Sequence, residues 1–383
     1  MQMSGFRLGS VLGFEIRIDY SWFIIFFLVL WSLAAGFFPA SVPGFSGGVY
    51  LAMGTIATLL FFVSLLAHEL SHSVVARQKG IPVEGITLFL FGGVAHTRME
   101  AQDPKDELMI AGVGPVASVI LGFLFLAAAW LVGRLGLGEP VRAVASYLGF
   151  INFLLAAFNL LPGFPLDGGR LFRALEWKRT GDLTKATRRA TTGGRWLGYG
   201  LIGLGILQTF AGAVLGGLWL VFIGWFLRNA AEMSLRQHLL SDVLEGVTAE
   251  DVMSPQPETV DPELSIQELV DEHFLRRRYQ SFPVTERGRL EGLITLEQVK
   301  RVPRDRWTAT AVRDVMASDS QQIVVEPREP MTEVLTKMRS SGTGRVLVTR
   351  DDRLVGIISG SDVTNWARRV HELGGMAGRT GRA

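Results

Sequence analysis

The chain has 383 residues, 48% of them hydrophobic and only 19% charged, with a formal net charge of +2 and no cysteine. So low a charged fraction, gathered toward the C-terminal part, excludes a protein exposed to water throughout and points to a membrane region joined to a polar one. The absence of cysteine excludes thiolate metal ligands and fits a soluble part held in a reducing compartment.

The first apolar segment, residues 20–38, is long enough to cross a bilayer. It follows Arg7 and Arg17 as a signal peptide would, but its apolar length exceeds a signal-peptide core and Glu15 and Asp19 intrude, so it reads as a retained span. The second segment, residues 49–76, contains His68-Glu69-Leu70-Ser71-His72. Ionisable side chains at membrane depth cost roughly 2.5 to 3.5 kcal/mol each, so three within five positions require a compensating partner, and a metal ion is the obvious one. Residues four apart share a helix face, which lets both imidazoles reach one ion while Glu69 faces a water beside it. The bare pattern occurs by chance in soluble proteins; its setting among Leu, Phe, Ala, Thr and Val gives it weight.

Residues 81–97 do not read as helix. Pro82, the run Ile86-Thr87-Leu88-Phe89-Leu90-Phe91 and then Gly92-Gly93 predict β structure closed by a turn. An edge strand there would capture a peptide in extended form; the alternative is a hairpin that only plugs the interior. His96 reads as a loop histidine. Spans at residues 108–132 and 143–161 follow, the second leading into Asn159-Leu160-Leu161-Pro162-Gly163-Phe164-Pro165-Leu166-Asp167-Gly168-Gly169-Arg170.

Zinc in a hydrolase takes three protein ligands and keeps a fourth position for water, so a third ligand is needed. His238, His273 and His371 lie in polar sequence and read as surface residues. Asp167 is the better candidate, because the surrounding Pro and Gly break the preceding helix where a carboxylate can turn inward. A solvated turn aspartate is the other reading.

With both motifs in this order, residues 1–236 resemble the site-2 protease family of intramembrane zinc metalloproteases, which combines a His-Glu-x-x-His helix with a later Asn-x-x-Pro…Asp-Gly segment. The resemblance implies one zinc held by His68, His72 and Asp167, with Glu69 as catalytic acid and base. It implies that Asn159 helps hold the substrate backbone, and that Gly112 and Gly114-Pro115 form the Gly-Pro element of the third span. It also suggests membrane-embedded substrates such as anti-sigma factors or membrane-held transcription regulators.

Residues 196–227 exceed one crossing and carry Gln208-Thr209-Phe210-Ala211-Gly212 at their middle, which predicts a hairpin of two short helices and about six spans in all. Gly194, Gly198, Gly212 and Gly216 are expected to allow close helix packing, or else the flexibility of a gate. In a six-span arrangement Arg77, Lys79, Arg98, Lys105, the run from Arg170 to Arg195, Arg228 and Arg236 fall on one side, which is then cytoplasmic. The expectation is a multi-pass cell-membrane protein with both termini in the cytoplasm.

From about Val247 the chain turns polar and repeats itself. Glu250-Asp251-Val252-Met253 recurs as Arg313-Asp314-Val315-Met316, and Leu290-Glu291-Gly292-Leu293-Ile294-Thr295 as Leu354-Val355-Gly356-Ile357-Ile358-Ser359. Each unit reads as an entry segment, a helix-like run, two short strands and a closing helix. The region resembles a tandem pair of CBS domains, a family that in many members binds ATP, AMP or related adenine nucleotides between its repeats. A hydroxyl residue followed three positions later by Asp holds the nucleotide there. Ser359 and Asp362 match it, whereas Thr295 is followed by Gln298, a departure. The pair could instead serve dimerisation or shape alone. Arg276-Arg277-Arg278 reads as a solvated helix face or a lipid contact, with no nucleic-acid motif beside it.

The expected fold is thus a polytopic α-helical membrane protein with a short β-element, followed by a soluble α/β tandem CBS pair. Its parts are a transmembrane zinc protease domain at 1–228, a linker helix at 229–246, CBS domains at 247–371, with possible homodimer formation through them, and a disordered tail at 372–383. The expected function is cleavage of a membrane-spanning or membrane-anchored substrate near the cytoplasmic face, modulated by nucleotide. An ion transporter or channel with a regulatory CBS pair is the alternative, and it gives Glu69 no role between two metal-type histidines.

Overall fold

The first described elements are strands rather than a helix. In Phe14–Asp19 the residues Phe14, Ile16 and Ile18 are buried while their neighbours are not, the period of a strand with one covered face. This strand (β2) pairs antiparallel with β1 (Gly5–Val11) through a two-residue turn at Leu12 and Gly13, both at positive φ as a primed hairpin turn requires. The computed structural model describes residues 5–90, 92–97, 101–244, 246–277, 279–318, 323–351 and 353–372. The chain divides into two units, Met1–Arg236 and Gln237–Ala383.

In the first unit, helices α1 (Trp22–Ser41, with a π-helical stretch at Ser32–Phe37) and α2 (Gly47–Gln78) form the crossover from β2 to β3 (Val83–Phe89), which lies parallel to β2. Strand β4 (Gly92–Thr97) pairs antiparallel with β3, so the sheet order is β1-β2-β3-β4 and β4 is an edge. The β structure expected at 81–97 is therefore half of a larger sheet. Its other half, β1 and β2, is too short and too charged at Arg7, Glu15, Arg17 and Asp19 to stand out beside the apolar segment that follows. Arg77 at the end of α2 donates to the Leu12 carbonyl at 2.9 Å and ties the hairpin turn to that helix.

Helix α3 (Pro104–Leu135) starts at an Asp103 cap whose carboxylate accepts from the Lys105 N–H at 2.6 Å, and ends at Gly136 in the left-handed conformation. Helix α4 (Glu139–Asn159) returns beside it. After a loop come α5 (Asp167–Thr180), α6 (Leu183–Phe210) and α7 (Val214–Val243). Among the described residues five helices are long and apolar enough to cross a membrane: α1, α2, α3, α4 and the stretch Val214–Leu240 of α7. Phe123, Trp130 and Phe150 point outward from this bundle, as suits helices whose surroundings are lipid.

The hairpin expected at 196–227 is present, but its helices are long rather than short, because α6 and α7 both continue through the basic segments that flank the apolar stretch. Helix α6 is not among the five. Its glycines make close contacts: a side chain at Gly198 would run into the Gly224 carbonyl, and one at Gly205 into the Gly217 carbonyl. Gly212 does not take part; it sits at φ 97° in the turn, a conformation that favours glycine.

In the second unit, the hairpin β6 (Ser281–Glu286) and β7 (Arg289–Thr295) belongs to the first repeat. The second repeat builds a sheet from β8 (Val324–Val325), β9 (Arg345–Arg350) and β10 (Arg353–Ser359), and its far edge is β5 (Ser254–Pro255), from the entry segment of the first. The exchange is mutual. Ala249 and Val252 are buried with Val346, Val348 and Ile358, while Val312, Val315 and Met316 pack with Val260, Phe282 and Val284. Each entry segment thus completes the other repeat's core. The last helix, α8 (Gly360–Glu372), takes in the first residue of the expected tail, and 373–383 lie outside the described residues.

Candidate metal centre

Helix α2 buries His68 and His72 one turn apart. Asp167 is the first residue of α5, where the positive end of the helix dipole favours an anion. Its Oδ2 lies 3.1 Å from His68 Nε2 and 3.2 Å from His72 Nε2, and the two Nε2 atoms are 3.2 Å apart. Among the described residues these three form a group able to hold a metal ion.

The outer ring nitrogens are engaged by α3. His72 Nδ1 donates to the Ile110 carbonyl at 2.6 Å, and His68 Nδ1 lies 2.8 Å from Ser118 Oγ. A carbonyl oxygen only accepts, so a neutral His72 carries its proton on Nδ1 and turns an Nε2 lone pair toward the Asp167 carboxylate. Acceptors facing one another at this range repel unless a cation or an added proton sits among them. Two imidazoles and a carboxylate are a zinc donor set with room for a fourth partner, and tetrahedral bonds of about 2.0 to 2.1 Å separate ligand atoms by roughly 3.3 Å, close to the distances found.

Burial pushes the Asp167 carboxyl up, but an added proton shared with the Nε2 atoms of His68 and His72 outweighs it and holds the group well below the ordinary aspartate range. Asp167 is therefore a carboxylate at neutral pH, as a ligand must be. Helix α3 comes this close only because residue 114 is glycine: a Cβ there would lie 2.7 Å from His68 Nε2 and closer still to His72 Nε2.

Glu69 lines a cavity of about 740 Å³ together with His72, Asp167, Asn159 and Gly93. Edge strand β4 touches it directly, since a Cβ at Gly93 would stand 3.0 Å from Glu69 Cδ. Asn159 closes α4, and its amide donates to the Leu155 carbonyl at 3.0 Å. The structure thus brings His68, Glu69, His72, Asp167 and Asn159 to one place. His96 pairs in β4 opposite Gly85 rather than in a loop, and its side chain lies outside the described residues.

In the second unit Ser359 and Asp362 meet each other: the Asp362 carboxylate accepts from the Ser359 N–H at 2.8 Å, from the Ser359 hydroxyl and from Ser254 Oγ at 2.8 Å. Thr295 and Gln298 repeat this cap, with Gln298 Oε1 2.8 Å from both the Thr295 N–H and its hydroxyl. A cavity of about 620 Å³ opens on that second cap, lined by Thr295, Gln298, Lys300 and Arg345 among others but not by Ser359 or Asp362.

Sequence reasoning missed Ser118, the Ile110 carbonyl and Gly93. A signal for Ser118 existed, since Ile110, Gly114 and Ser118 recur at helical spacing on the buried face of an otherwise apolar span. None was available for Gly93, whose contact depends on how β4 approaches α2.

Residues 56–141 and 137–195 match the model of peptidase family M50, and residues 249–305 and 312–369 match the CBS domain. Rip3 of Mycobacterium tuberculosis is 38% identical over 93% of this chain and 91% of its own length. A zinc metalloprotease of Methanocaldococcus jannaschii is 32% identical over 93% of this chain and 94% of its own. The solved site-2 protease from Methanocaldococcus jannaschii is 28% identical, with a TM-score of 0.41 over 60% of this chain and 95% of that one.

Proposed function

The chain belongs to peptidase family M50, the site-2 type of membrane zinc metalloprotease, and from that premise we propose that it cleaves a membrane-spanning or membrane-anchored protein near the cytoplasmic face. In this reading His68, His72 and Asp167 hold one zinc per chain. The observation that carries it is the convergence of two Nε2 atoms and Asp167 Oδ2 within 3.2 Å, with His72 Nδ1 already committed to the Ile110 carbonyl.

Zinc at such a site supplies Lewis acidity, which acidifies water and polarises a carbonyl. Glu69 accepts the proton of the attacking water on a carboxylate oxygen and returns it to the leaving amine. His72 stays in one tautomer through the Ile110 carbonyl, and Ser118 holds the His68 ring. Strand β4 receives the substrate as an added strand, and Asn159 holds the substrate backbone. Support for strand addition comes from the position of β4 at the sheet edge with Gly93 against Glu69, which would set an extended peptide beside the carboxylate. A transmembrane substrate must unwind to present its peptide bond, and pairing with β4 would stabilise the unwound form.

The basic residues between spans support cytoplasmic termini. Anti-sigma factors and membrane-held transcription regulators are the proposed substrate class. The CBS pair binds ATP or AMP, with Ser359 and Asp362 as its ribose-facing element, modulates cleavage and offers a surface for a homodimer. Purified full-length protein should contain about one zinc per chain and cut a single-span substrate in liposomes. Stoichiometric absence of zinc, or cleavage that survives its complete removal, would overturn this reading.

A further inference from the structure

Glu107 and Arg173 lie outside the set of ligands and take no part in the proton transfers above. Glu107, on the first turn of α3, is wholly buried, and its Oε1 accepts from Arg173 Nε at 2.8 Å and from Arg173 Nη2. Arg170 Nε stands 3.9 Å from the same oxygen. Arg173 is 6% exposed and sits six residues beyond Asp167 on α5, about 9 Å along the helix axis. Its guanidinium also lies 5.1 Å from the Phe164 ring, in the loop that leads into α5. Glu107 Oε2 is buried with no hydrogen-bond partner among the described residues.

A buried ion pair is a poor way to hold two helices together. Removing both charges from water offsets most of their attraction, and a well-packed apolar pair of similar volume is often as stable. What a doubly hydrogen-bonded contact supplies is a single geometry. Geometry matters here because the two helices carry complementary parts of one centre. On α3, Ile110 and Ser118 engage the outer nitrogens of both histidines and Gly114 leaves room for the inner ones. On α5 stands the carboxylate. Glu107, Ile110, Gly114 and Ser118 all lie on the buried face of α3, so the helix that orients the imidazoles also grips the helix that bears Asp167.

We propose that the Glu107–Arg173 pair positions Asp167 by setting the register of α5 against α3, so that the carboxylate meets both imidazoles at ligand distance. This rests on the reading of His68, His72 and Asp167 as zinc ligands. Both are positioning residues and not catalytic ones.

The test uses the full-length protein in detergent, comparing wild type, Glu107→Gln and the double variant Glu107→Leu with Arg173→Leu. Zinc affinity is measured by chelator competition, ligand geometry by the visible spectrum of the cobalt-loaded protein, and fold by thermal unfolding without metal. Both variants should bind zinc about 10- to 100-fold more weakly and change the cobalt spectrum. The double variant should unfold without metal at or above the wild-type temperature. Wild-type affinity and spectrum in the double variant would overturn the inference, as would a loss of affinity fully matched by lost metal-free stability. A wild-type protein that binds no zinc would instead defeat the metalloprotease reading itself.

Discussion

Ser118 Oγ stands 2.8 Å from His68 Nδ1, so the ring of one histidine is held by a helix other than its own. The contact is fully buried, and removing the hydroxyl leaves the ring nitrogen without that partner. Ser118→Ala should weaken zinc binding by about 10- to 100-fold and lower cleavage with it. Chelator competition on the purified protein checks this. Unchanged affinity would mean that packing alone orients His68.

Glu69→Gln separates binding from chemistry. All three proposed ligands remain, so zinc content should stay near wild type. Peptide hydrolysis should fall by about 100-fold or more once the group that accepts and returns the proton is gone. Metal analysis and cleavage in liposomes are measured on one preparation, and retained cleavage would remove Glu69 from the mechanism.

Asp167→Ala removes a proposed ligand atom and leaves the two imidazole nitrogens. Zinc retention and cleavage should both collapse. An aspartate serving only the turn before Gly168 and Gly169 would be replaceable within about 0.5 kcal/mol of stability. Wild-type zinc content and activity in this variant would shift the third ligand elsewhere.

Gly114→Ala tests the closeness of α3. The added methyl would collide with both imidazoles, so α3 must retreat and carry with it the Ile110 carbonyl and Ser118. Expected is a protein that still inserts into the membrane but loses zinc and cleavage. Zinc bound at wild-type affinity would show that the helix can shift without cost to the site.

For the CBS pair, the exchange of entry segments sets how a fragment must be cut. Leu244 is buried against the second repeat's core, so a fragment beginning at Gln237 should fold where one beginning at Val247 is impaired. Calorimetry should detect ATP or AMP binding to the longer fragment. Asp362→Ala should weaken it by about 1.5 to 3 kcal/mol through loss of charge-assisted hydrogen bonds. The same change removes the cap over Ser359, which by itself costs about 1 kcal/mol of stability. A variant that loses stability while binding nucleotide as wild type does would leave Asp362 a cap only. A change in cleavage on adding nucleotide to the full-length protein tests coupling, since an effector acts only through unequal affinity for two states.

What the sequence by itself determined is local in origin. The apolar runs disclosed the candidate spans because crossing a bilayer sets their length, and His68 and His72 disclosed a candidate metal face because four residues make about one helical turn. The cost of burying Glu69 and two histidines among apolar residues makes that face conspicuous. The glycine and proline pattern around Asp167 marked where a chain turns, and the repeated Asp-Val-Met and Gly-x-Ile segments marked two related units. Only the tertiary structure decided that Gly5–Asp19 joins the sheet beside Val83–Phe89, that Ile110 and Ser118 orient the imidazoles, that Glu107 meets Arg173, and that each entry segment packs in the other repeat. These pairings join residues tens of positions apart, and nothing in either partner's neighbourhood specifies the other. They are selected by the packing of helices and strands against one another, which becomes defined only when the whole chain has folded.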